Sequence, residues 1–173
     1  MNRIALCLLV ILPASAFAGP ERVDLPLNYR ELLFLYNAIE RPDRKPPIVR
    51  FMYVNREAAK AAKAGEPAPY GTLLVMEDRK VKLDEQGRPV RGADGRFMAT
   101  DEVLNVFVQQ KGKGWGEAYP ADKRNGDWEY AWFNPDGTRR ANAKFDACFA
   151  CHMPRAGRDF NFTFSKWVLD GKP

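Results

Sequence analysis

The chain has 173 residues, a formal net charge of +5, three cysteines and one histidine. Lysines and arginines are spread along the chain among acidic residues, so the positive charge is too small and too dispersed to predict a nucleic-acid-binding surface. A solvated surface accounts for most of these charges. The length is typical of a domain that can bury a core without disulfide bonds.

Residues 1–18 have the pattern of a secretory signal peptide. One arginine precedes an apolar run from Ile4 to Leu12, and small residues end the segment at Ala18. We therefore expect cleavage after Ala18, export to the periplasm, and a mature single domain spanning residues 19–173. The apolar run is shorter than the roughly 20 residues of a bilayer span, so no membrane anchor is expected. Cleavage removes Cys7 and one arginine, which leaves two cysteines and a net charge of +4.

The first half of the mature chain mixes helix and strand patterns. Asn28 precedes "YRELL" with Glu31 three residues later, the spacing of a capping box at the start of a short helix. We expect this helix to lead into a strand by Ile39. A strand, a surface helix and a second strand are then predicted over residues 48–54, 55–65 and 72–78.

The second half contains more strand than helix. A turn-rich loop is predicted over 84–96, strands over 103–109, 128–133 and 160–164, and a helical segment over 139–152. In the strand "WEYAWF", period-two alternation places Trp128, Tyr130 and Trp132 on one face. The pattern predicts an α+β domain that is mainly antiparallel β-sheet with short helices.

The segment "CFACH" places Cys148, Cys151 and His152 within five residues. A structural zinc site needs four ligands, and this cluster offers three. A redox dithiol of the thioredoxin type belongs in a βαβ pattern, which the chain lacks. A disulfide bond would not require a histidine at the next position.

The spacing C-x-x-C-H is typical of covalent haem attachment. In such sites the two thiols add across the haem vinyl groups and the adjacent imidazole binds the iron. Two intervening residues let one helical turn present both sulfurs to the porphyrin edge. We therefore predict one covalently attached haem c on a haem-attachment helix near the C-terminus. Some of the aromatic faces are then expected to pack on the porphyrin.

The order of several segments resembles the cytochrome P-460 and cytochrome c′-beta family. These are "NYREL", "IVRFMYV", "YGTLLVME", "GRFM", "GDWEYAWF", "CFACH" and "RDFNFTF", covering roughly residues 28–164. The resemblance implies a periplasmic, mostly β, monohaem protein that forms a homodimer. It further implies that Cys148 and Cys151 form the thioether links and that His152 is the proximal iron ligand. Arg50 matches an arginine near the haem pocket of the family, although a surface arginine on an edge strand is the alternative interpretation.

The sequence departs from the catalytic branch of that family at two positions. In that branch, which oxidises hydroxylamine, a lysine is bonded to the haem and an acidic residue lies over its distal side. Matching the strands places Met76 at the lysine position and Phe107 at the acid position. Neither residue supplies an amine or a proton acceptor. A shifted strand register would instead bring Lys80 or Lys82 to the lysine position.

These departures make the chain more similar to the c′-beta branch, whose apolar pockets bind small gases such as nitric oxide. We therefore expect a periplasmic haem protein that binds a small gas or exchanges electrons with a redox partner protein. An oxidoreductase acting on hydroxylamine is the alternative. Met76 is either an iron ligand, which would favour electron transfer, or apolar filler over an open coordination position. Met52, Met98 and Met153 are other methionines that could take the ligand role.

Overall fold

The computed structural model describes residues 19–172, and the signal-peptide prediction for residues 1–18 lies outside this range. The strands are β1 (Phe34–Arg41), β2 (Ile48–Val54), β3 (Leu73–Val81), β4 (Ala99–Lys111) and β5 (Trp128–Phe133). The α-helices are α1 (Tyr29–Leu32), α2 (Arg56–Ala61), α3 (Asp146–His152) and α4 (Phe164–Leu169). Short 3-10 turns occur at Pro20–Arg22, Trp115–Ala118, Ala121–Lys123 and Met153–Arg158.

The strands form one sheet in which spatial order follows chain order, β1-β2-β3-β4-β5, and every neighbouring pair is antiparallel. The predicted α+β class with a mainly antiparallel sheet is confirmed. Each strand carries β-branched or aromatic residues of the kind that suit a pleated, partly buried surface. Within residues 19–172, no helix combines the length and the apolar character needed to cross a bilayer.

One side of the sheet, which we call the back face, is covered by the N-terminal segment. Its buried strand residues are Tyr53, Leu73, Val75, Val106, Val108, Ala131 and Phe133. Val23, Tyr29 and Leu33 pack against them from the N-terminal segment. The alternation of side chains along the strands separates this core from the opposite side of the sheet.

The other side, the front face, is covered by helices that come from distant parts of the chain. Trp128, Leu74 and Val54 lie on it and pack with Ala58 of α2 and Phe164 of α4. Trp128, Tyr130 and Trp132 share this face, since they pair with Lys111, Gln109 and Phe107 of β4 at every second position. The front face is also the side on which α3 lies, because the Tyr130 ring packs against residues of that helix.

The predicted starts of α1 and α2 are confirmed, whereas the capping of α1, the end of α2 and the start of α3 differ from the predictions. Helix α1 follows Asn28, but the Asn28 side chain makes no capping hydrogen bond. Helix α2 ends at Ala61, before the glycine expected to stop it, and Asn55 Oδ1 accepts the Leu73 backbone N–H at 2.9 Å. The helix predicted over residues 139–152 begins only at Asp146.

The predicted strand over residues 160–164 is wrong. Phe160 has φ of 57°, Phe162 is exposed, and Phe164 starts helix α4. Asn161 accounts for the change, because its Oδ1 accepts the backbone N–H of Ser165 at 2.8 Å and so supports the first helical turn. The alternating phenylalanines therefore come from a turn followed by a helix whose apolar residues Phe164 and Val168 are four residues apart.

Helix α4 supplies a stability prediction. Phe164 is 1% exposed and contacts the Tyr36 and Trp167 rings at 5.8 Å between centroids. We expect Phe164→Ala to lower the free energy of unfolding by about 3–5 kcal/mol through lost burial and a residual cavity. The matched control is Leu169→Ala on the same helix, where the side chain is 67% exposed. The control should change stability by less than about 0.5 kcal/mol in urea unfolding. Equal losses in the two variants would contradict this packing.

Candidate haem site

Helix α3 carries all three residues of the motif. Cys148 and Cys151 are three residues apart and therefore share a side of the helix, while His152 is its last residue. Both thiols are free, with Cys148 partly buried and Cys151 exposed. Burial raises the pKa of the Cys148 thiol, and the neighbouring Cys151 adds to the effect. The pair is thus available for bonding to a group outside the chain.

His152 is held by a backbone carbonyl. Its Nδ1 lies 2.6 Å from the Phe160 carbonyl oxygen, which can only accept a hydrogen bond, so Nδ1 carries the proton. The lone pair of the neutral ring is then on Nε2, the nitrogen left free for a metal. Burial lowers the pKa of His152 and favours this neutral form. These features fit an axial iron ligand.

Two aromatic rings fix the plane of the imidazole. The Tyr130 ring lies 5.0 Å from the His152 ring between centroids, and the Phe162 ring lies 4.9 Å away at 88°. Tyr130 also packs edge-on against Phe149 of α3, and its hydroxyl accepts a hydrogen bond from Asn125 at 2.9 Å. Helix α3 is therefore seated on the sheet through β5.

The turn that presents the Phe160 carbonyl is unusual. Asp159 and Phe160 both have positive φ, 50° and 57°, a conformation that costs a non-glycine residue about 1–3 kcal/mol. Asp159 Oδ2 accepts hydrogen bonds at 2.8 Å from Lys111 Nζ and from the Ala68 backbone N–H. Gln109 Nε2 also donates to the Phe160 carbonyl oxygen, at 3.2 Å. Two residues of β4 thus fix the position of the carbonyl that orients His152.

Sequence reasoning missed these supporting residues. The spacing of Gln109, Lys111 and Asp159 in the sequence matches no known motif. These residues come into contact only because the chain returns to the sheet after α3. The alternation of β5 predicts an aromatic face that includes Tyr130, but no sequence pattern predicts its contact with His152. Phe162 belongs to the alternating phenylalanines after the motif, but nothing in that spacing indicates its contact with His152.

Met76 and Phe107 are direct cross-strand partners on the front face. Met52 pairs with Met76 on one side and Trp132 pairs with Phe107 on the other. We call these four residues the apolar row. It crosses β2 to β5 over about 14 Å, given the usual strand spacing. Tyr130, which touches His152, lies two residues from Trp132 on the same face.

The methionines differ in their surroundings. Met52 is 6% exposed, and its sulfur accepts a hydrogen bond from Thr163 Oγ1 at 3.1 Å. Met98 is 42% exposed and lies just before β4. Met153 follows His152 directly on the chain. Met76 is partly buried in the middle of the apolar row, so its environment fits either role proposed from the sequence.

The aromatic end of the row is rigid. Phe107 and Trp132 stack at 4.9 Å between centroids with a 33° tilt. Trp132 Nε1 donates to Asn105 Oδ1 at 3.0 Å, and the Arg140 guanidinium lies 4.0 Å from the Trp132 ring centroid. The Phe107 side chain is therefore backed by a fixed indole.

Arg50 lies on β2, an interior strand, so the alternative of an edge-strand arginine is excluded. Its Nε and terminal nitrogen donate to the two Asp78 carboxylate oxygens at 2.6 and 2.8 Å. The side chains are only 12% and 6% exposed. This bidentate pair is on the front face, because Arg50 and Asp78 are cross-strand partners two residues along their strands from Met52 and Met76.

The two lysines that a shifted register would bring in lie elsewhere. Lys80 is opposite Ile48, and its Nζ lies 3.0 Å from a Glu102 carboxylate oxygen. Lys82 follows the end of β3 and is exposed. The register thus keeps Met76 opposite Phe107. The functional roles of Met76, Phe107 and Arg50 stay predictions.

The family model described as Cytochrome P460 matches residues 26–163, which is most of the chain. The chain therefore belongs to the Cytochrome P460 family, whose members bind haem c covalently and are typically periplasmic. A comparison with curated proteins gave no match. With free thiols on one side of α3 and a free Nε2 on His152, the site fits this cofactor. Cys148 and Cys151 would hold the haem, and His152 would bind its iron.

Cysteine substitutions test the attachment. We expect Cys148→Ala and Cys151→Ala each to leave one thioether link, which the alkaline pyridine spectrum distinguishes from two links. The double variant should lose covalent haem in denaturing gels stained for peroxidase activity. Leu169→Ala, on the neighbouring helix, is the matched control and should retain the full stain. Haem that stays bound to the double variant under denaturing conditions would contradict the assignment.

The buried Lys111–Asp159 ion pair gives a prediction about stability. Asp159→Asn keeps a residue that tolerates positive φ but leaves the buried Lys111 ammonium without its counter-charge. We expect a loss of about 3–5 kcal/mol in the free energy of unfolding. The double variant Lys111→Met/Asp159→Asn should recover part of that loss, because no buried charge remains unpaired. Additive losses in the double variant would contradict a coupled pair.

Proposed function

We propose that this protein is a periplasmic c-type cytochrome that binds a small gas of the nitric oxide kind. The observation that carries the proposal is the apolar row beside the His152 contact on the front face. Met52, Met76, Phe107 and Trp132 contribute no amine, carboxylate or hydroxyl to that surface. Such a surface favours a neutral diatomic ligand over a substrate that must lose protons.

The same residues argue against hydroxylamine oxidation. That reaction needs a group that accepts protons from the substrate. Asp78 is the nearest carboxylate on these strands, and both of its oxygens are engaged by Arg50. Lys80 is paired with Glu102 outside the row.

The bound haem iron would supply a coordination position for the gas or a site for a transferred electron. The chain's own residues would perform the remaining tasks. Phe160 keeps the proton on His152 Nδ1, and the Tyr130 and Phe162 rings hold the imidazole plane. Phe107, backed by Trp132, would make this part of the front face unfavourable for water, because Phe107 has no hydrogen-bonding group and the Trp132 indole N–H is taken by Asn105.

Electron transfer is the second candidate, because Met76 supplies a thioether on the front face and a thioether is a known axial ligand of haem iron. A thioether as the second axial ligand would raise the reduction potential and close the iron to gases. A redox partner protein would then replace the gas as the physiological partner.

An absorption spectrum of the ferrous protein with and without nitric oxide separates these functions. We expect a five-coordinate spectrum that changes on addition of the gas. A low-spin spectrum that ignores nitric oxide would support electron transfer instead. A strongly red-shifted band, typical of haem cross-linked to a lysine, would contradict the proposal and restore the hydroxylamine function.

The Met76 side chain can be tested directly. We expect Met76→Ala to change the spin state or the nitric oxide affinity while leaving the haem covalently attached, because the thioether is on the front face and not in the attachment motif. Met98→Ala is the matched control and should leave the spectrum unchanged. A Met76→Ala spectrum identical to that of the unmodified protein would remove Met76 from the site.

The resemblance to dimeric family members extends the proposal to a homodimer. Leu32 and Leu35, which lie just before and within edge strand β1, are 50% and 45% exposed. Exposed apolar residues of this size at one edge favour an interface. Light scattering of the purified protein measures the mass in solution, and a monomer at all concentrations would contradict this part.

A further inference from the structure

Three carboxylate side chains are buried in the described part of the chain, namely Glu77, Asp78 and Glu129. Glu77 is paired with Arg30 and Arg79, and Asp78 is paired with Arg50. Glu129 is 0% exposed. Among residues 19–172, no lysine, arginine or histidine forms an ion pair with it. A buried carboxylate without a counter-charge is strongly unfavourable.

The groups that do contact Glu129 are hydrogen-bond donors. Tyr119 donates its hydroxyl to Glu129 Oε2 at 2.5 Å, and burial together with this bond raises the pKa of Tyr119. The Tyr130 backbone N–H donates to Oε1 at 3.1 Å. The third donor is the backbone nitrogen of Gly19, 3.1 Å from Oε2.

Gly19 is the residue that cleavage after Ala18 would make the first of the mature chain. Hydrolysis of the Ala18–Gly19 peptide bond by a signal-peptidase-type endopeptidase consumes one water. It leaves a carboxylate on Ala18 and an amine on Gly19, which takes up a proton at neutral pH. The nitrogen that faces Glu129 would then carry a positive charge.

The segment after Gly19 is fixed independently of that nitrogen. Arg139 donates to the Pro20 and Val23 carbonyl oxygens at 2.6 Å each, and Arg22 donates to the Trp115 carbonyl oxygen at 3.3 Å. Val23 is fully buried in the back-face core. The position of Gly19 beside Glu129 is thus determined by its neighbours in the chain.

We propose that the α-ammonium group of Gly19, released by signal-peptide cleavage, is the missing counter-charge of Glu129. Processing therefore completes a buried ion pair on β5 and stabilises the exported protein. The pair is connected to the haem-bearing helix, since the Tyr119 ring packs on Phe149 of α3 at 4.8 Å between centroids.

The inference depends on the exported form in the proposed function, but it can fail separately. The first step is the intact mass of the haem-loaded protein exported by a host that assembles c-type cytochromes. We expect a chain that begins at Gly19. A different N-terminus would overturn this inference, while the nitric oxide spectrum would still test the function.

A coupling cycle then tests the pair. An insertion of Thr-Gln before Gly19 leaves a large residue next to Gly19, so cleavage stays after Ala18 and the Gly19 nitrogen of the processed chain is an uncharged amide; the second change is Glu129→Gln. We expect each change alone to lower the folding equilibrium constant in urea by on the order of tenfold. The combined variant should lose no more than the larger single effect. Losses in the folding equilibrium constant that multiply in the combined variant would overturn the proposed ion pair. An extension that leaves this constant unchanged would also overturn it.

Two controls address the alternatives. Glu21 is the exposed carboxylate closest to Gly19 in the chain, so Glu21→Gln should leave the coupling between the extension and Glu129 intact. Coupling that disappears in Glu21→Gln would mean that the amine pairs with Glu21, contrary to the proposal.

If Glu129→Gln does not fold, the rate at which the Gly19 amine of the folded protein is acetylated tests the ion pair instead. The Gly19 amine should react at least tenfold more slowly than the exposed amine of the extended chain, and equal rates would overturn the proposal.

Discussion

The hydrogen bond between His152 Nδ1 and the Phe160 carbonyl oxygen determines what the site can do. It assigns the proton to one nitrogen and leaves the other free for iron. It also requires the chain after α3 to turn back within eight residues, through two positive-φ positions, so that the carbonyl meets the ring. The Lys111–Asp159 ion pair and Gln109 hold that turn, and both Lys111 and Gln109 belong to β4.

The sheet contributes to the site by dividing the core into two parts. The back face is sealed by the N-terminal segment around Val23 and Tyr29, where Glu77 accepts hydrogen bonds from Tyr29 and Arg30. The front face is only partly covered by α2 and α4, so the apolar row remains next to the haem motif. The same strands can therefore be rigid on one side and available to a large apolar cofactor on the other. The buried Arg50–Asp78 pair marks the polar border of that surface.

Sequence reasoning predicted the parts of this arrangement that depend on local spacing. The strands around Met52 and Met76 follow from β-branched and aromatic content, and the attachment motif follows from the spacing of Cys148, Cys151 and His152. The segment around Phe164 has the alternation of a strand, because a turn followed by a helix gives the same short pattern. The contacts of Asp159 with Lys111, and of Glu129 with Gly19, join residues 48 and 110 positions apart, and no local pattern encodes them.

We expect His152 to bind the iron through Nε2 in the orientation set by the Phe160 carbonyl. Since the chain has one histidine, labelling the protein with ¹⁵N-histidine marks this residue alone. Electron–nuclear double resonance of the ferric protein measures coupling between the iron and that nitrogen. We expect a strong coupling from one imidazole nitrogen and a weak one from the remote nitrogen. A ferric spectrum without any coupling from labelled histidine would contradict it.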